Sequence, residues 1–355
     1  IRNNAGLQFI SAADGSKKPV QLPAGARVSN PVWSPDSSAV AFFVHGEEAT
    51  HIYVADVATG RARQLSKVPV LATMTSLLEF TDGGRQIATI VVPDGRAPMP
   101  VAPAAPTGPT VKIADSAKNR LRTFPSLMST PYEKSLLEWH ATGQLALIDV
   151  QKGTVRKFGK PDMIRSVDFA PDAKYARVTR MVEPFSYDVP VSNFGSIEEI
   201  WDAEGKALAT LNERELNLGV QDDDDPPAGG GRGGAQNQQG KRELAWRTDG
   251  QGLTYLEQEP APEGQRNARG NQGAQPADPD DQPARPGRGG RGAGQPPQRP
   301  DRVYQWVAPF DDASRKVVFE HTTRMTGHRF SPDMKVLFFG ERSGQNAVDK
   351  AVYLD

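Results

Sequence analysis

One phrase recurs along the chain and limits its fold more than any other feature. An aromatic residue is followed by a short turn and an apolar run, as in WSPDSSAVAFF from Trp33. Related text begins at Phe169, Trp246 and Phe330, and a weaker copy begins at Phe80. A Pro-Asp pair favours a turn, because proline fixes φ and the aspartate can accept hydrogen bonds from nearby backbone N–H groups. The phrase therefore predicts where successive β-strands begin.

The first copy and the spacing of the others predict a β-propeller. Residues 40–44 suit a strand buried on both faces, and THIYVADV, from Thr50, alternates like a half-buried strand. Trp33 and Phe80 are 47 positions apart, which matches one four-stranded blade; the later spacings of 89, 77 and 84 match a blade plus an insert. We predict an all-β fold of four-stranded antiparallel blades that start near residues 33, 79, 168, 245 and 329.

The aromatic residue that opens each copy has a structural role in this interpretation. A blade cannot bury both of its own faces, so large apolar side chains are expected to pack between neighbouring blades. The five blade anchors are Trp33, Phe80, Phe169, Trp246 and Phe330.

Three segments interrupt the repeat: 93–109, 221–240 and 259–302. They are rich in glycine, proline and polar residues and can bury little apolar surface, which predicts disordered inserts. Residues 6–22 read as the last two strands of an earlier blade, and the final copy is short. We therefore expect residues 1–355 to form a propeller portion with an incomplete ring.

Composition excludes several classes of function. The chain has 42 Lys and Arg against 43 Asp and Glu, so overall charge does not favour nucleic acid or an anionic membrane. It has no cysteine, which excludes disulfides and thiolate chemistry. No apolar run approaches the roughly 20 residues of a spanning helix, so we expect no membrane partner. Nothing in the sequence defines an oligomeric state.

No catalytic or metal-binding motif occurs in the chain. The Gly-x-Ser-x-Gly elbow of α/β-hydrolases is absent, and the five histidines lie near no recognisable nucleophile motif. No zinc or calcium spacing occurs, and GRGGRG at 287–292 lacks the strand and helix that a dinucleotide site needs. We expect no catalytic residue, metal or cofactor in this chain.

Longer stretches carry a family resemblance. SPD followed by IYVADVATGRARQL resembles the repeats of TolB-like proteins and of prolyl oligopeptidase-type (S9) serine peptidases. Residues 122–150 and PFSYDVPVSNFGSIEEIWDAEGK, 184–206, resemble the propeller of bacterial S9 peptidases related to chloroplast glutamyl endopeptidase. The resemblance implies a periplasmic or secreted peptidase whose propeller admits peptides to a C-terminal α/β-hydrolase domain with a Ser-Asp-His triad. Only the propeller portion matches this chain.

The same resemblance nominates substrate-gating residues around the PFSY motif. They are Glu183, Phe185, Tyr187, Asp188 and Asn193. The family resemblance implies a basic residue just before PFSY, whereas this chain has Glu183. If a basic residue there recognises an acidic substrate side chain, this departure weakens the case for glutamyl specificity. The alternative is that Glu183 is a solvated loop charge.

Three functions follow from these observations. The first is a non-catalytic propeller that gates peptide access to a serine peptidase domain absent from this chain. The second is a stand-alone TolB-like propeller that acts as a protein-binding scaffold. The third is RNA binding through the RGG-like text of 259–302, which lacks the interleaved aromatic residues that would strengthen it.

Overall fold

The computed structural model describes residues 4–105, 124, 127–218, 240–259, 299–343 and 346–354. These residues form twenty strands, one α-helix and three short 3-10 turns. The helix is α1 (Pro131–Ala141), and the turns are Asp82–Gly84, Val191–Asn193 and Asp312–Ser314. The strands are β1 (Gln8–Ile10), β2 (Lys17–Pro19), β3 (Arg27–Trp33), β4 (Ala39–His45), β5 (Thr50–Asp56), β6 (Ala62–Gln64), β7 (Leu78–Thr81), β8 (Gln86–Val91), β9 (Thr142–Asp149), β10 (Val155–Phe169), β11 (Tyr175–Val182), β12 (Gly195–Asp202), β13 (Ala207–Arg214), β14 (Arg242–Trp246), β15 (Leu253–Gln258), β16 (Asp301–Trp306), β17 (Arg315–His321), β18 (Met325–Phe330), β19 (Val336–Ser343) and β20 (Asn346–Tyr353).

The strands pair with their sequence neighbours in antiparallel sheets. The sheets are β1–β2, β3–β6, β7–β13, β14–β17 and β18–β20. Consecutive four-stranded meanders of this kind are the blades of a β-propeller, so the predicted fold class is confirmed. The chain divides into two compact units, residues 1–230 with β1–β13 and residues 231–355 with β14–β20.

The seven-stranded sheet consists of two blades joined by one long strand. The first part of β10 pairs with β9, and its last part pairs with β11. The register shifts between Phe158 and Asp162 and again between Ile164 and Ser166. Such irregularities bend a strand and increase its twist, which lets β10 end one blade and begin the next.

The predicted buried strand is confirmed as β4. Residues 40–44 are all buried, because neighbouring strands and layers cover both faces of the strand. Side chains from β4 and β5 share a core cluster with side chains from β8 and β9 of the following blade. Each blade thus buries a face that it could not cover alone. This cluster includes Ala41, Phe43, Ile52, Val54, Ile87, Val91, Ala146 and Ile148.

The repeated turn has the hydrogen bonds expected from its sequence. Asp36 Oδ1 accepts the Ser38 N–H at 3.1 Å and the Ser34 hydroxyl at 2.6 Å. These bonds stabilise the carboxylate and lower the pKa of Asp36 to about 2. Ser331 and Asp333 repeat the arrangement before β19, with 2.5 Å between the hydroxyl and carboxylate oxygens. The Ser-Pro-Asp sequence therefore forms a hydrogen-bonded turn in both copies.

Helix α1 was not expected within an all-β repeat. It lies between β8 and β9 and interrupts the second blade. Thr130 Oγ1 accepts the Glu133 N–H at 3.2 Å, and the Glu133 carboxylate accepts the Thr130 N–H at the same distance. This reciprocal capping box, with Pro131 at the first helical position, begins the helix. The sequence Thr-Pro-Tyr-Glu, residues 130–133, contains the pattern that is typical of a helix N-terminus.

Two of the three expected inserts lie largely outside the described residues, and the first is largely described. Residues 93–105 form no helix or strand, whereas 106–109, 221–239 and 260–298 are not described. Asp301 and Arg302, which composition assigned to the third insert, instead begin β16. Asp301 is fully buried and forms an ion pair with Arg242, which fixes it inside the blade.

No helix among the residues that the structure describes is long and apolar enough to cross a membrane.

Candidate functional site

The PFSYDVP motif lies in the loop that connects β11 to β12, residues 183–194, here called the gate loop. Ser186 and Val189 are buried, whereas Tyr187 and Asp188 between them are exposed; Tyr187 is 41% exposed. The Asp188 N–H donates to the Ser186 hydroxyl at 3.0 Å. The buried pair holds the loop in place and leaves a phenol and a carboxylate facing solvent.

Helix α1 supports the start of the gate loop. Lys134 Nζ lies 2.5 Å from Glu183 Oε1 and 3.5 Å from Glu138 Oε1. The hydrogen bond from Lys134 lowers the pKa of Glu183, and the same bond raises the pKa of Lys134. Glu183 is thus an exposed loop charge with a cationic partner, Lys134, 49 positions away along the chain.

Apolar packing continues this support beneath the loop. The rings of Phe185 and Phe194 stack with their centroids 5.1 Å apart, and Phe194 is fully buried. Phe185 and Leu137 of α1 pack against the buried cluster of Ala141, Met163 and Met181. Phe185 therefore supports the loop from its inner side.

Polar bonds fix the end of the gate loop. Asn193 Nδ2 donates to the Asn217 carbonyl at 3.0 Å, and the Asn217 N–H donates to the Asn193 carbonyl at 2.9 Å. Arg214 Nη2 donates to the carbonyls of Ser192 and Phe194 at 3.0 and 2.8 Å. Asn193 is thus held by its backbone and by its side chain.

Four of the five predicted gating residues fall into two groups within the gate loop. Phe185 and Asn193 position the loop, whereas Tyr187 and Asp188 form its exposed tip. Sequence reasoning missed three supporting residues: Lys134, Arg214 and Arg165, whose Nη2 donates to the Ser192 carbonyl at 3.5 Å. The capping box could have revealed the helix that carries Lys134, but no local pattern identifies the two arginines. The gating role itself stays a prediction.

The blade anchors occupy different environments. Phe169 is buried in a cluster shared by two blades, and its ring makes an edge contact with Phe158 at 5.7 Å. Phe80 and Phe330 are partly buried against core clusters, and Trp246 makes an edge contact with Phe310 at 6.2 Å. Trp33 lies 5.8 Å from the ring of Phe9 and is 54% exposed. The anchor role of these residues stays a prediction.

His45 and Ser29 resemble a catalytic pair, but their surroundings are those of a structural contact. His45 Nε2 lies 2.8 Å from the Ser29 hydroxyl, but its Nδ1 faces Thr50 Oγ1 at 3.0 Å and not a carboxylate. Burial lowers the pKa of His45, and Ser29 lies within strand β3 and not on a strand-to-helix elbow. Within the described ranges, no group of three or more His, Asp or Glu residues could hold a metal ion.

No family model matches the chain. Curated proteins do match it. The chain is 30% identical over 256 residues to a probable chloroplastic glutamyl endopeptidase of Oryza sativa subsp. japonica, a match covering 68% of this chain and 26% of the relative. It is 29% identical over 211 residues to the Arabidopsis thaliana protein of the same name, covering 56% and 22%. The chain is a homologue of glutamyl endopeptidases. It spans about a quarter of the length of these curated relatives.

Solved structures that align with this chain include a peptidase and a TolB protein. An acylaminoacyl peptidase from Pyrococcus horikoshii aligns with 97% of this chain and 39% of its own, at 12% identity and a TM-score of 0.41. TolB from Acinetobacter baumannii aligns with 98% and 57%, at 12% identity and a TM-score of 0.34. Because both TM-scores are low, only the sequence matches support the relation to glutamyl endopeptidases.

Proposed function

We propose that this chain is the non-catalytic β-propeller of an S9-type serine peptidase and that it controls the access of peptides to a separate hydrolase domain. The 30% identity over 256 residues with a probable glutamyl endopeptidase carries this proposal. The sequence of the chain contains no Gly-x-Ser-x-Gly elbow, so the proposed Ser-Asp-His triad belongs to a domain outside residues 1–355.

The gate loop supports a role in contacting peptides. Its inner side chains pack against α1 and the blade, and its exposed tip presents Tyr187 and Asp188. A phenol offers an apolar face and a hydrogen-bonding hydroxyl at little cost in conformational entropy. A carboxylate accepts hydrogen bonds from backbone N–H groups of an extended peptide. A braced loop with such a tip can select peptides by shape and length.

Substrates and compartment belong to the same proposal. The relatives are named glutamyl endopeptidases, which makes peptides the proposed substrate class here. The relatives are named chloroplastic. From the resemblance to bacterial S9 peptidases, we propose a periplasmic or secreted location for this chain.

Reading the gene across codon 355 tests the proposal. We expect an open frame that continues into a strand, a Gly-x-Ser-x-Gly elbow and a helix, followed by the aspartate and histidine of a triad. A stop codon at this position in the transcript would overturn the two-domain part of the proposal.

The gating role has its own test in that longer polypeptide. Tyr187→Ala is expected to change kcat/KM severalfold for long peptides while leaving a short chromogenic substrate unaffected. Glu47→Ala, in the exposed β4–β5 turn, is the control and should change neither. Equal effects of Tyr187→Ala on short and long substrates would argue against gating.

A further inference from the structure

Three arginines meet at one end of the blade formed by β14–β17, within the compact unit of residues 231–355. Arg242 is the first residue of β14, and Arg299 lies two positions before β16. Both strands pair antiparallel with β15, so they begin at the same end of the sheet. Arg242 Nη1 donates to the Met325 carbonyl at 3.2 Å, which brings in Arg324, the residue before Met325.

The charges of the three side chains act on one another. Partial burial, and next the charge of Arg242, lower the pKa of Arg324. Asp301 raises this pKa, and Arg299 lowers it further. A nearby like charge disfavours the charged form of a group. The three guanidinium groups therefore form one cationic cluster.

The buried carboxylate of Asp301 balances one of the three positive charges. Its oxygens lie 2.7 and 2.6 Å from Arg242 Nη2, and Oδ2 also accepts the Met325 N–H at 2.8 Å. Asp301 is fully buried, so it is held against Arg242. Its charge is thus matched within the blade.

Two glutamates near the cluster have other cationic partners. Glu259 forms an ion pair with Arg302 at 3.3 Å. Glu341 forms one with Lys350 at 2.6 Å. These carboxylates are therefore already paired, and the net charge of the cluster remains positive.

The cluster has donors without acceptors. Among the residues that the structure describes, Arg324 forms no hydrogen bond or ion pair, and it is exposed to solvent. Arg299 donates to two neutral oxygens, the Glu259 carbonyl at 2.9 Å and the Gln258 amide oxygen at 3.3 Å. Arg242 Nε is buried with no hydrogen-bond partner in the same part of the chain. Such a donor is costly, because it has also lost its contact with water.

We propose that Arg242, Arg299 and Arg324 form a binding site for a phosphate group. A phosphate group with about two negative charges offers at least three acceptor oxygens in a tetrahedral arrangement. It can therefore accept bonds from guanidinium groups that approach from three separate segments of the chain. A carboxylate has one charge and two oxygens in one plane, which suits a single guanidinium fork. The phosphate is either free orthophosphate or the terminal group of a phosphomonoester.

Titration calorimetry of the 355-residue chain tests this site, at constant ionic strength and in a buffer without phosphate. The ligands are orthophosphate, phenyl phosphate and acetate. We expect orthophosphate or phenyl phosphate to bind at least about tenfold more tightly than acetate. The tighter of the two phosphates identifies the source of the phosphate group. The same ligand should raise the Tm of the chain as its concentration increases, because it binds the folded state.

Variants locate the binding. Arg324→Gln should weaken the binding of phosphate at least about tenfold, and Arg324→Lys should keep part of the affinity because it retains the charge. Arg329→Gln is the matched control, since it removes the same charge from an exposed position of β18. The Arg329 guanidinium lies 5.1 Å from the ring centroid of Phe338 and belongs to no part of the cluster. Circular dichroism checks that each variant is folded.

Equal affinity for phosphate and acetate would overturn the site. A phosphate affinity that is unchanged in Arg324→Gln, or weakened equally in Arg329→Gln, would also overturn it. The site does not depend on the proposed function, and a gene without a hydrolase domain would leave a measured phosphate affinity intact.

Discussion

At the scale of single residues, burial and close approach explain several unusual positions. His328 Nε2 lies 2.9 Å from the Thr254 hydroxyl, and its Nδ1 is buried with no hydrogen-bond partner among the residues that the structure describes. Burial and the nearby charge of Arg242 lower the pKa of His328 to about 4, against the raising effect of Asp301. The folded chain therefore favours the neutral imidazole.

This shift predicts a pH dependence of stability. The unfolded chain binds a proton at His328 near pH 6.5, whereas the folded chain does so near pH 4. The contribution of His328 to the free energy of unfolding is thus fully present above pH 6.5. It is lost as the pH falls towards 4, and the loss is at most about 3 kcal/mol. Urea unfolding should show a flatter pH dependence for His328→Gln over this window. An NMR titration midpoint of His328 near 6.5 would contradict the account.

Two glycines approach each other closely where β10 bends. Gly205 has φ of +81°, and a Cβ there would lie 2.1 Å from the backbone nitrogen of Gly159. The Gly159 N–H donates to the Glu204 carbonyl at 3.3 Å, so the two segments are fixed. A side chain at Gly205 would have to displace backbone.

The expected cost of Gly205→Ala is about 3 kcal/mol or more, because left-handed strain and a backbone clash combine. Gly83→Ala is the control, since Gly83 has φ of +64° with nothing within 4 Å of its Cβ position. That change should cost about 1 kcal/mol. Equal losses in chemical unfolding would show that the close approach is unimportant.

At the scale of elements, the strands could be predicted from sequence and the site contacts could not. The runs after Trp33 and Phe330 became β4 and β19, because apolar periodicity and Ser-Pro-Asp turns are local signals. Helix α1 had a local signal, the capping box, but it interrupts the repeat. The pairing of Lys134 with Glu183 joins residues 49 positions apart and depends on how a helix packs on a neighbouring blade. The hydrogen bonds from Arg165 and Arg214 to the Ser192 carbonyl also join residues that are distant along the chain.

The capping box is expected to stabilise α1 and the gate loop that it supports. Thr130→Ala removes the side chain that accepts the Glu133 N–H and should cost about 1 kcal/mol. Thr130→Ser keeps the acceptor and should cost much less. Urea denaturation compares the two variants; wild-type stability of Thr130→Ala would mean that the cap is dispensable.

The hairpin of β15 and β16 is expected to tolerate a shortened connection. The Glu259 N–H donates to the Pro300 carbonyl at 3.0 Å, so the two ends of the connection already meet. Replacing residues 260–298 by Asn-Gly should preserve the fold and raise stability by up to about 2 kcal/mol, because the loop to be closed is shorter.

A slightly longer deletion is the matched control for this experiment. Removing 260–302 also removes Asp301, which accepts two bonds from Arg242 and the Met325 N–H. Leaving Arg242 partly buried and unpaired should cost about 3–5 kcal/mol. Equal thermal stability of the two deletions would contradict the assignment of Asp301 to the blade. Salt-sensitive RNA binding that is lost in the shorter deletion would favour the RGG alternative.

At the scale of the whole molecule, the chain is a set of propeller blades with a braced loop and no assembled catalytic triad among its described residues. The sequence similarity to probable glutamyl endopeptidases covers about a quarter of the length of those relatives, and the proposed role in peptide hydrolysis rests on this similarity. We propose that the blades select peptides and that another domain cleaves them.

Fluorophosphonate labelling tests this claim most directly. The probe is applied to the purified chain of 355 residues and to the longer product of the same gene, and labelled serines are located by mass spectrometry. We expect a labelled serine and peptide hydrolysis in the longer product, and neither in the 355-residue chain. Labelling of a serine within residues 1–355, or of none in the longer product, would contradict it.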